Sequence, residues 1–282
     1  MQQTNNIAVL LTCHNRKETT KTCLTRLFKI KSDIDVFCVD DNSIDGTSQM
    51  IESEFPQVIL IKGNGNLFWC RGMRLAWEIA RKQNDYEFYF WLNDDLELYD
   101  NAFNELLECS RLEKDQSIIT GLVEEKKSHT VIYGGSDNSK KLIPANGQLN
   151  EVIFLNGNFV IIPRFVFNKI GFFDKRFHHD LGDVDYGLTA REKNLYVRTS
   201  RCYIGCTDVN LRSKHLRIRM DNVGIIKRFK RLYSPLGSNP FITFYFKQKH
   251  QGYIHAIVYF LYIHFINLLP DIVWNKISQL RY

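Results

Sequence analysis

Four apolar runs, each ending in a polar cluster, constrain this chain more than any other feature. IAVLLTC (residues 7–13) is continuously apolar and is followed by HNR. DIDVFCV runs into Asp40, Asp41, Asn42 and Ser43. VILIK (58–62) runs into GNGN, and YEFYFWL (86–92) into Asn93, Asp94 and Asp95. Continuous apolar runs of this length suit strands buried on both faces, as in a parallel sheet. Between them lie segments with helical spacing: NRKETTKTCLTRLFKI, DGTSQMIESEF and RGMRLAWEIARKQN, with NAFNELLECSRLEKD after the fourth. Asp45 or Thr47 suits the cap of the second helix, and Pro56 lies just beyond its end. Strand alternating with helix over residues 7–115 predicts βαβ units, a mostly parallel sheet and right-handed crossovers. In such a sheet the strand C-termini share one edge, where ligands bind. All four polar clusters fall on that edge, so the paired carboxylates of WLNDD belong to a cleft rim rather than to the core. Buried and unpaired, they would be costly to desolvate and would repel each other.

The 282 residues fit one large α/β domain or one domain with a tail, and the 44% hydrophobic content is enough for a sizeable core. Lys and Arg total 37 against 31 acidic residues. That excess is too mild to indicate nucleic acid as a partner. Seven cysteines are scattered with no CxxC spacing, which predicts reduced, mostly buried thiols, no zinc site and a cytosolic protein. The N-terminus shows no basic start followed by a long apolar core, so no secretion signal is expected. The longest apolar stretch, 253–269, is short for a membrane span and carries His255, His264 and Asn267.

Phosphate-loop chemistry is disfavoured, because GxxxxGK[ST] is absent and TCHNR stands where GxGxxG would follow the first strand. What remains is the acidic edge. A hard divalent cation takes one or two carboxylates together with diphosphate oxygens. Asp94 and Asp95 suit that task, or alternatively cap the next helix. DLGDVDYGLTAREK (180–193) predicts a helix whose first turn holds Asp183 and Asp185. These either favour the helix dipole or supply a general base facing the cleft.

Taken in order, these segments resemble the inverting glycosyltransferases of family 2, in particular the rhamnosyltransferase-like members that build bacterial polysaccharides. VLLTCHNR resembles that family's opening strand and nucleotide loop, and VDDNSIDGT its most recognisable motif. GNGNLFWCRGM is similar to its third-strand turn, and WLNDD stands at its DxD-type position. FLNGNFVIIPRFVFNKIGFFDKRF resembles its acceptor-side segment, and GDVDYGLTARE its catalytic segment. The resemblance covers residues 5–210. It implies the GT-A fold: a single Rossmann-like, mostly parallel sheet flanked by helices, here with a C-terminal helical tail. It also implies a nucleotide-sugar donor and Mn²⁺ or Mg²⁺. Carried over, Thr12 and Asn15 border the base, Asp41 hydrogen-bonds its ring and Asn66 lies in the donor turn. Asp94 lies near the ribose, and Asp95 binds the metal. Asp183 deprotonates the acceptor hydroxyl, and the anomeric centre inverts in one displacement. Trp69, Asn156 and His179 fall on the acceptor side. The chain departs from the pattern at Gly182, where Glu is frequent, and at Arg74, where Asn is frequent. The family's metal-holding His has only His215 as a distant counterpart, with His178 and His179 nearer Asp183.

The expected organisation is a catalytic domain over 1–210, with a nucleotide-sugar half to about 115 and an acceptor half from 116, then an extension over 211–282. Residues 212–231 hold eight Lys or Arg and one Asp, and an aromatic-rich segment follows. This extension is expected to lie on the inner membrane surface, with packing on the catalytic domain or homodimer formation as alternatives. The whole reads as a metal-dependent transferase using a UDP- or dTDP-sugar. The acceptor is a saccharide or lipid-linked saccharide in surface polysaccharide synthesis. A sugar nucleotidyltransferase or a non-catalytic nucleotide- or carbohydrate-binding module is the alternative.

Overall fold

In the computed structural model, which describes residues 6–208 and 217–279, the four apolar runs become four adjacent strands. They are β1 (Ile7–Cys13), β2 (Asp35–Asp40), β3 (Val58–Lys62) and β4 (Phe88–Leu92), in the spatial order β3-β2-β1-β4 and all parallel. The intervening helices are α1 (Lys17–Ile30), α2 (Thr47–Glu54) and α3 (Phe68–Gln83). β5 (Glu97–Leu98) and α4 (Ala102–Leu112) follow.

Beyond β4 the sheet is mixed. It continues with β10 (Phe159–Pro163), β6 (Ile118–Glu125), β11 (Val197–Thr207) and β5, and β7 (Val131–Tyr133) pairs with β6. β10 runs antiparallel to both β4 and β6, while the expected, mostly parallel arrangement holds for the first half and for β6 with β11. β11 is a strand that its sequence hides. Arg198, Ser200 and Arg201 interrupt its apolar character, and its pairing with β6 shifts register twice between Thr199 and Gly205. The Gly- and Asn-rich stretch 133–150 is mainly irregular, but it contributes β8 (Gly135–Ser136) to a small ribbon with β9 (Phe154–Leu155). α5 (Arg164–Ile170) and α6 (Gly182–Glu192) complete this part.

Within each all-apolar strand the two faces are buried differently. Val9 and Leu11, Val36 and Cys38, and Phe90 join Leu24, Leu27, Phe103 and Leu106 in one core cluster. The alternate residues Tyr89 and Trp91 meet the opposite layer, centred on Trp77 of α3. Trp77 is fully buried, with ring centroids of Phe167, Tyr89, Phe173, Tyr186 and Trp91 between 5.2 and 5.7 Å away. Two-sided burial explains the apolar interiors of β1, β2 and β4, whereas β3 lies at the sheet edge and only its Val58 is buried. All seven cysteines are free thiols, and five of them are buried.

By contact, the chain divides into two compact units, residues 1–178 with 182–209, and 179–181 with 210–282. The second unit contains α7 (Ile225–Leu232), α8 (Pro240–Gln251), α9 (Tyr253–Leu268) and α10 (Asp271–Gln279). Asn239 caps α8 by accepting from the N–H groups of Phe241 and Ile242. Gly252, at φ +92°, separates α8 from α9. The basic run 212–231 is not one solvated face. Arg219 and Arg228 are buried, and both reach the Asp271 carboxylate and the Leu269 carbonyl. They also donate to the carbonyls of Ile266 and Asn267, closing the C-terminal end of α9, which would otherwise lack partners.

Replacing Trp77 by Ala empties the centre of this aromatic layer and is expected to cost about 3–5 kcal/mol. Urea unfolding followed by circular dichroism reads this directly. A loss below about 1 kcal/mol would contradict the layer's central place in the core.

Candidate active site

The four polar clusters hold one another in place at the strand ends. Asp40 accepts from the N–H and hydroxyl of Ser43. Asn15, at φ +50°, donates its N–H to the Ser43 hydroxyl, and its side-chain carbonyl accepts from Ile44 N–H. His14 Nδ1 lies 2.7 Å from the Asp41 carbonyl oxygen, which can only accept. The proton is therefore on Nδ1, and Nε2 accepts from Asn15 Nδ2 at 3.0 Å. Asp45 binds both Lys17 N–H and Thr47 N–H, tying the starts of α1 and α2 together.

Asp41 organises the third cluster. Its Oδ2 accepts from the N–H groups of Leu67 and Phe68 at 2.9 and 3.0 Å, and its Oδ1 from Gly65 N–H at 2.8 Å. A carboxylate at the end of β2 thus caps α3, which begins at Phe68, three residues ahead of the start that local spacing predicts. The cap comes from a distant strand, so no local motif announces it. Phe68 holds φ +56°, a rare conformation for an aromatic residue that the surrounding bonds enforce. Asn66 lies exposed on this loop. Thr12 is half-buried with its side chain toward α3, where a Cβ on Gly72 would come within 2.3 Å of its hydroxyl oxygen.

The carboxylates of WLNDD do not cap the next helix, since β5 intervenes and α4 starts only at Ala102. Instead they share one guanidinium. Arg16 donates from one terminal nitrogen to Asp94 Oδ1 at 2.7 Å and from the other to Asp95 Oδ2 at 3.0 Å. Thr20 donates to Asp94 Oδ2 at 3.1 Å. Asp94 is 4% exposed, whereas the Asp95 side chain is 35% exposed. Burial raises the Asp94 carboxyl to about 6, against the opposing effect of Arg16, and the neighbouring Asp95 charge adds to the rise.

Asn93 joins this pair to the helix that carries Asp183. Its Oδ1 accepts from Trp69 Nε1 at 2.7 Å, its Nδ2 donates to Asn158 Oδ1 at 2.7 Å, and its N–H donates to Asn158 O at 2.9 Å. In the same turn, Gly157 N–H donates to Asp183 Oδ2 at 2.9 Å. Asp183 Oδ1 accepts from Val184 N–H at 2.8 Å in the first turn of α6. A Cβ on Gly157 would fall within 2.8 Å of the Trp69 ring and 3.1 Å of Asp183. Close approach therefore requires glycine here. The departure at Gly182 has a similar cause, since a Cβ there would meet Cys70 Sγ at 2.3 Å. Arg74 pairs with Glu78 and donates to the Phe173 carbonyl.

Thr12, Asn15, Asp41 and Asn66 thus share one loop system, while Asp94, Asp95, Trp69 and Asp183 share a second through Asn93 and the 156–158 turn. Arg16 directly follows Asn15 and connects the two. Asn156 contributes its backbone, accepting from the Thr120 hydroxyl at 3.2 Å. His179 falls in the second unit, beside Asp180, and His215 lies outside the described residues. Sequence reasoning passed over Arg16, Asn93 and Asn158. The available signal was a cation in TCHNR opposite two adjacent acids.

Among the described residues no three His, Cys, Asp or Glu side chains gather as a potential metal site. A divalent ion here would therefore need most of its ligands from a bound molecule. Asp95 fits one such contact: it is accessible, and only its Oδ2 is taken by Arg16.

The sequence matches the model of glycosyl transferase family 2 over residues 8–173, more than half of the chain. The chain belongs to glycosyl transferase family 2. A comparison with curated proteins gives no match. The fold is that of GT-A glycosyltransferases. This family member resembles S. aureus TarS at TM-score 0.56 and 16% identity, over 91% of this chain and 49% of that one. The chain thus spans about half the length of that TarS structure. The mannosyltransferase PcManGT from Pyrobaculum calidifontis, solved with GDP-Man and Mn²⁺, matches at TM-score 0.55 and 14% identity, over 98% of this chain and 81% of that one. GalNAc-T7 with UDP, GalNAc and Mn²⁺ matches at TM-score 0.57 and 12% identity, over 93% and 57%. At these identities the likeness establishes the fold.

Asp94 gives a pH signature. Its native pKa, about 6, lies above the ordinary 3.8 expected of the unfolded chain, so the native state holds the proton more tightly. Its contribution to stability is full below pH 4 and is lost as pH rises to about 6, on the order of 2–3 kcal/mol. In chelator-treated protein, the stability of Asp94→Asn relative to wild type is expected to rise by that amount between pH 4 and 7. A difference that stays constant with pH would contradict the raised pKa.

Proposed function

We propose that this protein is a metal-dependent, inverting glycosyltransferase. It moves a sugar from a nucleotide-sugar to a hydroxyl of a saccharide or lipid-linked saccharide during surface polysaccharide synthesis. One observation carries the reading: the acidic pair at the end of β4 and Asp183 at the start of α6 are tied together through Asn93, Trp69 and Gly157. Two centres of opposite task are thereby held in one frame. The arginine-clamped pair suits the leaving diphosphate, and the Asp183 carboxylate suits an incoming hydroxyl. Relatives of the same fold solved with UDP, or with GDP-Man and Mn²⁺, support a nucleotide-sugar donor and a divalent cation.

In this reading Thr12, Asn15 and Asn66 border the nucleoside. Asp41 turns to it the acceptor capacity left on Oδ1, since Oδ2 is filled by two N–H groups. Asp94 sits at the ribose, with its charge partly met by Arg16. Mn²⁺ or Mg²⁺, held by Asp95 and the diphosphate, would supply positive charge against the departing nucleoside diphosphate. Arg16 adds a fixed cation at the same place. Asp183, oriented by two N–H donors, takes the proton of the acceptor hydroxyl. The freed oxygen then forms its bond to the anomeric carbon as the bond to the diphosphate oxygen breaks, inverting that centre. Trp69, lying against Gly157 and Asp183, forms part of the acceptor wall, with Asn156 and His179 assigned to the same side. The lipid-linked acceptor implies a peripheral place at a membrane.

Replacing Asp183 by Asn should lower kcat about 10²–10⁴-fold. The melting-temperature shift on adding UDP, dTDP or GDP with Mn²⁺ should persist. Sugar release from a panel of donors, followed by chromatography, measures the first. Wild-type turnover by Asp183→Asn would refute its role as base.

A further inference from the structure

The second unit carries an apolar surface that its own packing leaves uncovered. α9 is sixteen residues long and has no Lys, Arg, Asp or Glu. At 100° per residue, Tyr253, Ile254, Ile257, Val258, Leu261, Phe265 and Leu268 fall within one sector of about 140°. All seven are exposed, Ile254 at 77% and Leu261 at 62%. The opposite sector carries Ala256, Ile263, Ile266 and Asn267, all buried. A helix apolar on every side belongs in a core or in lipid. This one has half its circumference in a core and half in the open. Ile272 of α10, at 75%, and Ile226 of α7, at 83%, add exposed apolar side chains in the same unit.

Spanning is excluded for this helix by length, since sixteen residues rise about 24 Å against a hydrocarbon core of about 30 Å. No described helix is long and apolar enough to cross a membrane. Charge then selects among the occupants of the exposed sector. Residues 210–282 hold twelve of the 37 Lys and Arg and two of the 31 acidic residues, a formal charge of +10, which leaves −4 on the rest of the chain. Pairing two copies of this face would bring two strongly positive units together. An anionic lipid surface meets the same charge with attraction. α7 supplies both kinds of contact: Ile225 and Ile226 are exposed beside Lys227 and Lys230, also exposed, and the rings of its Phe229 and of Tyr233, just past its end, lie near His264 of α9. Arg219 and Arg228 are spent inside the unit on the end of α9, which fixes that helix against its neighbours without using the exposed lysines.

We infer that α9 lies flat in the interface of an anionic membrane, with the sector from Tyr253 to Leu268 toward the acyl chains and Lys227 and Lys230 on the headgroups. The inference agrees with the proposed function in placing the protein where a lipid-linked acceptor would be. Vesicle binding needs no donor, metal or turnover, so each can fail without the other. The face is water-exposed, so polar variants should leave the melting temperature unchanged.

The test is sedimentation of the full chain with phosphatidylcholine vesicles, with and without phosphatidylglycerol, alongside gel filtration. The chain should bind the anionic vesicles at least tenfold more tightly than neutral ones and lose most of that preference in 0.5 M NaCl. Ile254→Glu with Leu261→Glu should weaken binding at least tenfold, as should Lys227→Glu with Lys230→Glu. Binding that survives the Ile254 and Leu261 changes would overturn the insertion of α9. Absence of vesicle binding would overturn the membrane assignment. If the chain then elutes as a dimer that those changes dissociate, the face covers a second copy.

Discussion

The site depends on the sharing of one guanidinium between two adjacent carboxylates. Asp94 is almost fully buried next to Asp95, an arrangement that costs free energy through lost hydration and through mutual repulsion. Arg16, with both terminal nitrogens engaged, makes it tolerable without removing the strain on Asp94, whose carboxyl stays near 6. The clamp also fixes geometry. Arg16 stands at the turn between β1 and α1, so the loop bearing Asn15 and the loop bearing Asp94 and Asp95 cannot move independently. From there Asn93 extends the same frame to Trp69, Asn158 and, through Gly157, to Asp183. In the proposed reaction the leaving diphosphate oxygen and the incoming hydroxyl oxygen act on one anomeric carbon, and aligning both calls for this kind of shared rigidity.

A second carboxylate solves a different problem. Asp41 gives its oxygens to three N–H groups of the turn before α3, and so holds Phe68 in a strained conformation and starts the helix where Trp69 faces the site. Asp40 does the same for the turn before α2. The two acids of VDDNS thus serve as scaffold for the turns that follow β2, and both are buried.

Much of this was legible before any coordinates. The four strands, their helices and the shared polar edge follow from continuous apolar runs, three of them buried on both faces and β3 at the sheet edge, and the family follows from motifs in order along the chain. What stayed hidden was non-local. The antiparallel insertion of β10 between β4 and β6 depends on which strands meet, and nothing in FVIIP states its direction. β11 is broken by arginines whose partners lie elsewhere, Arg201 on Glu105 and Glu108 of α4 and Arg198 on Glu113 just past it. The true start of α3 is set by an acid 26 residues upstream. In the tail, charge counting alone could not separate Arg219 and Arg228, which close a helix from inside, from Lys227 and Lys230, which face solvent.

The most direct test of the central claim is a Mn²⁺ titration followed by electron paramagnetic resonance, with UDP, dTDP or GDP present, on wild type and Asp95→Ala. Wild type should remove about one Mn²⁺ per chain from the free signal with one of these nucleotides, and much less without any, because the protein offers few ligands of its own. Asp95→Ala should remove no more than the nucleotide does alone. Equal binding by the variant, or no ternary complex with any of the three, would contradict a diphosphate and metal site at the Arg16, Asp94 and Asp95 cluster.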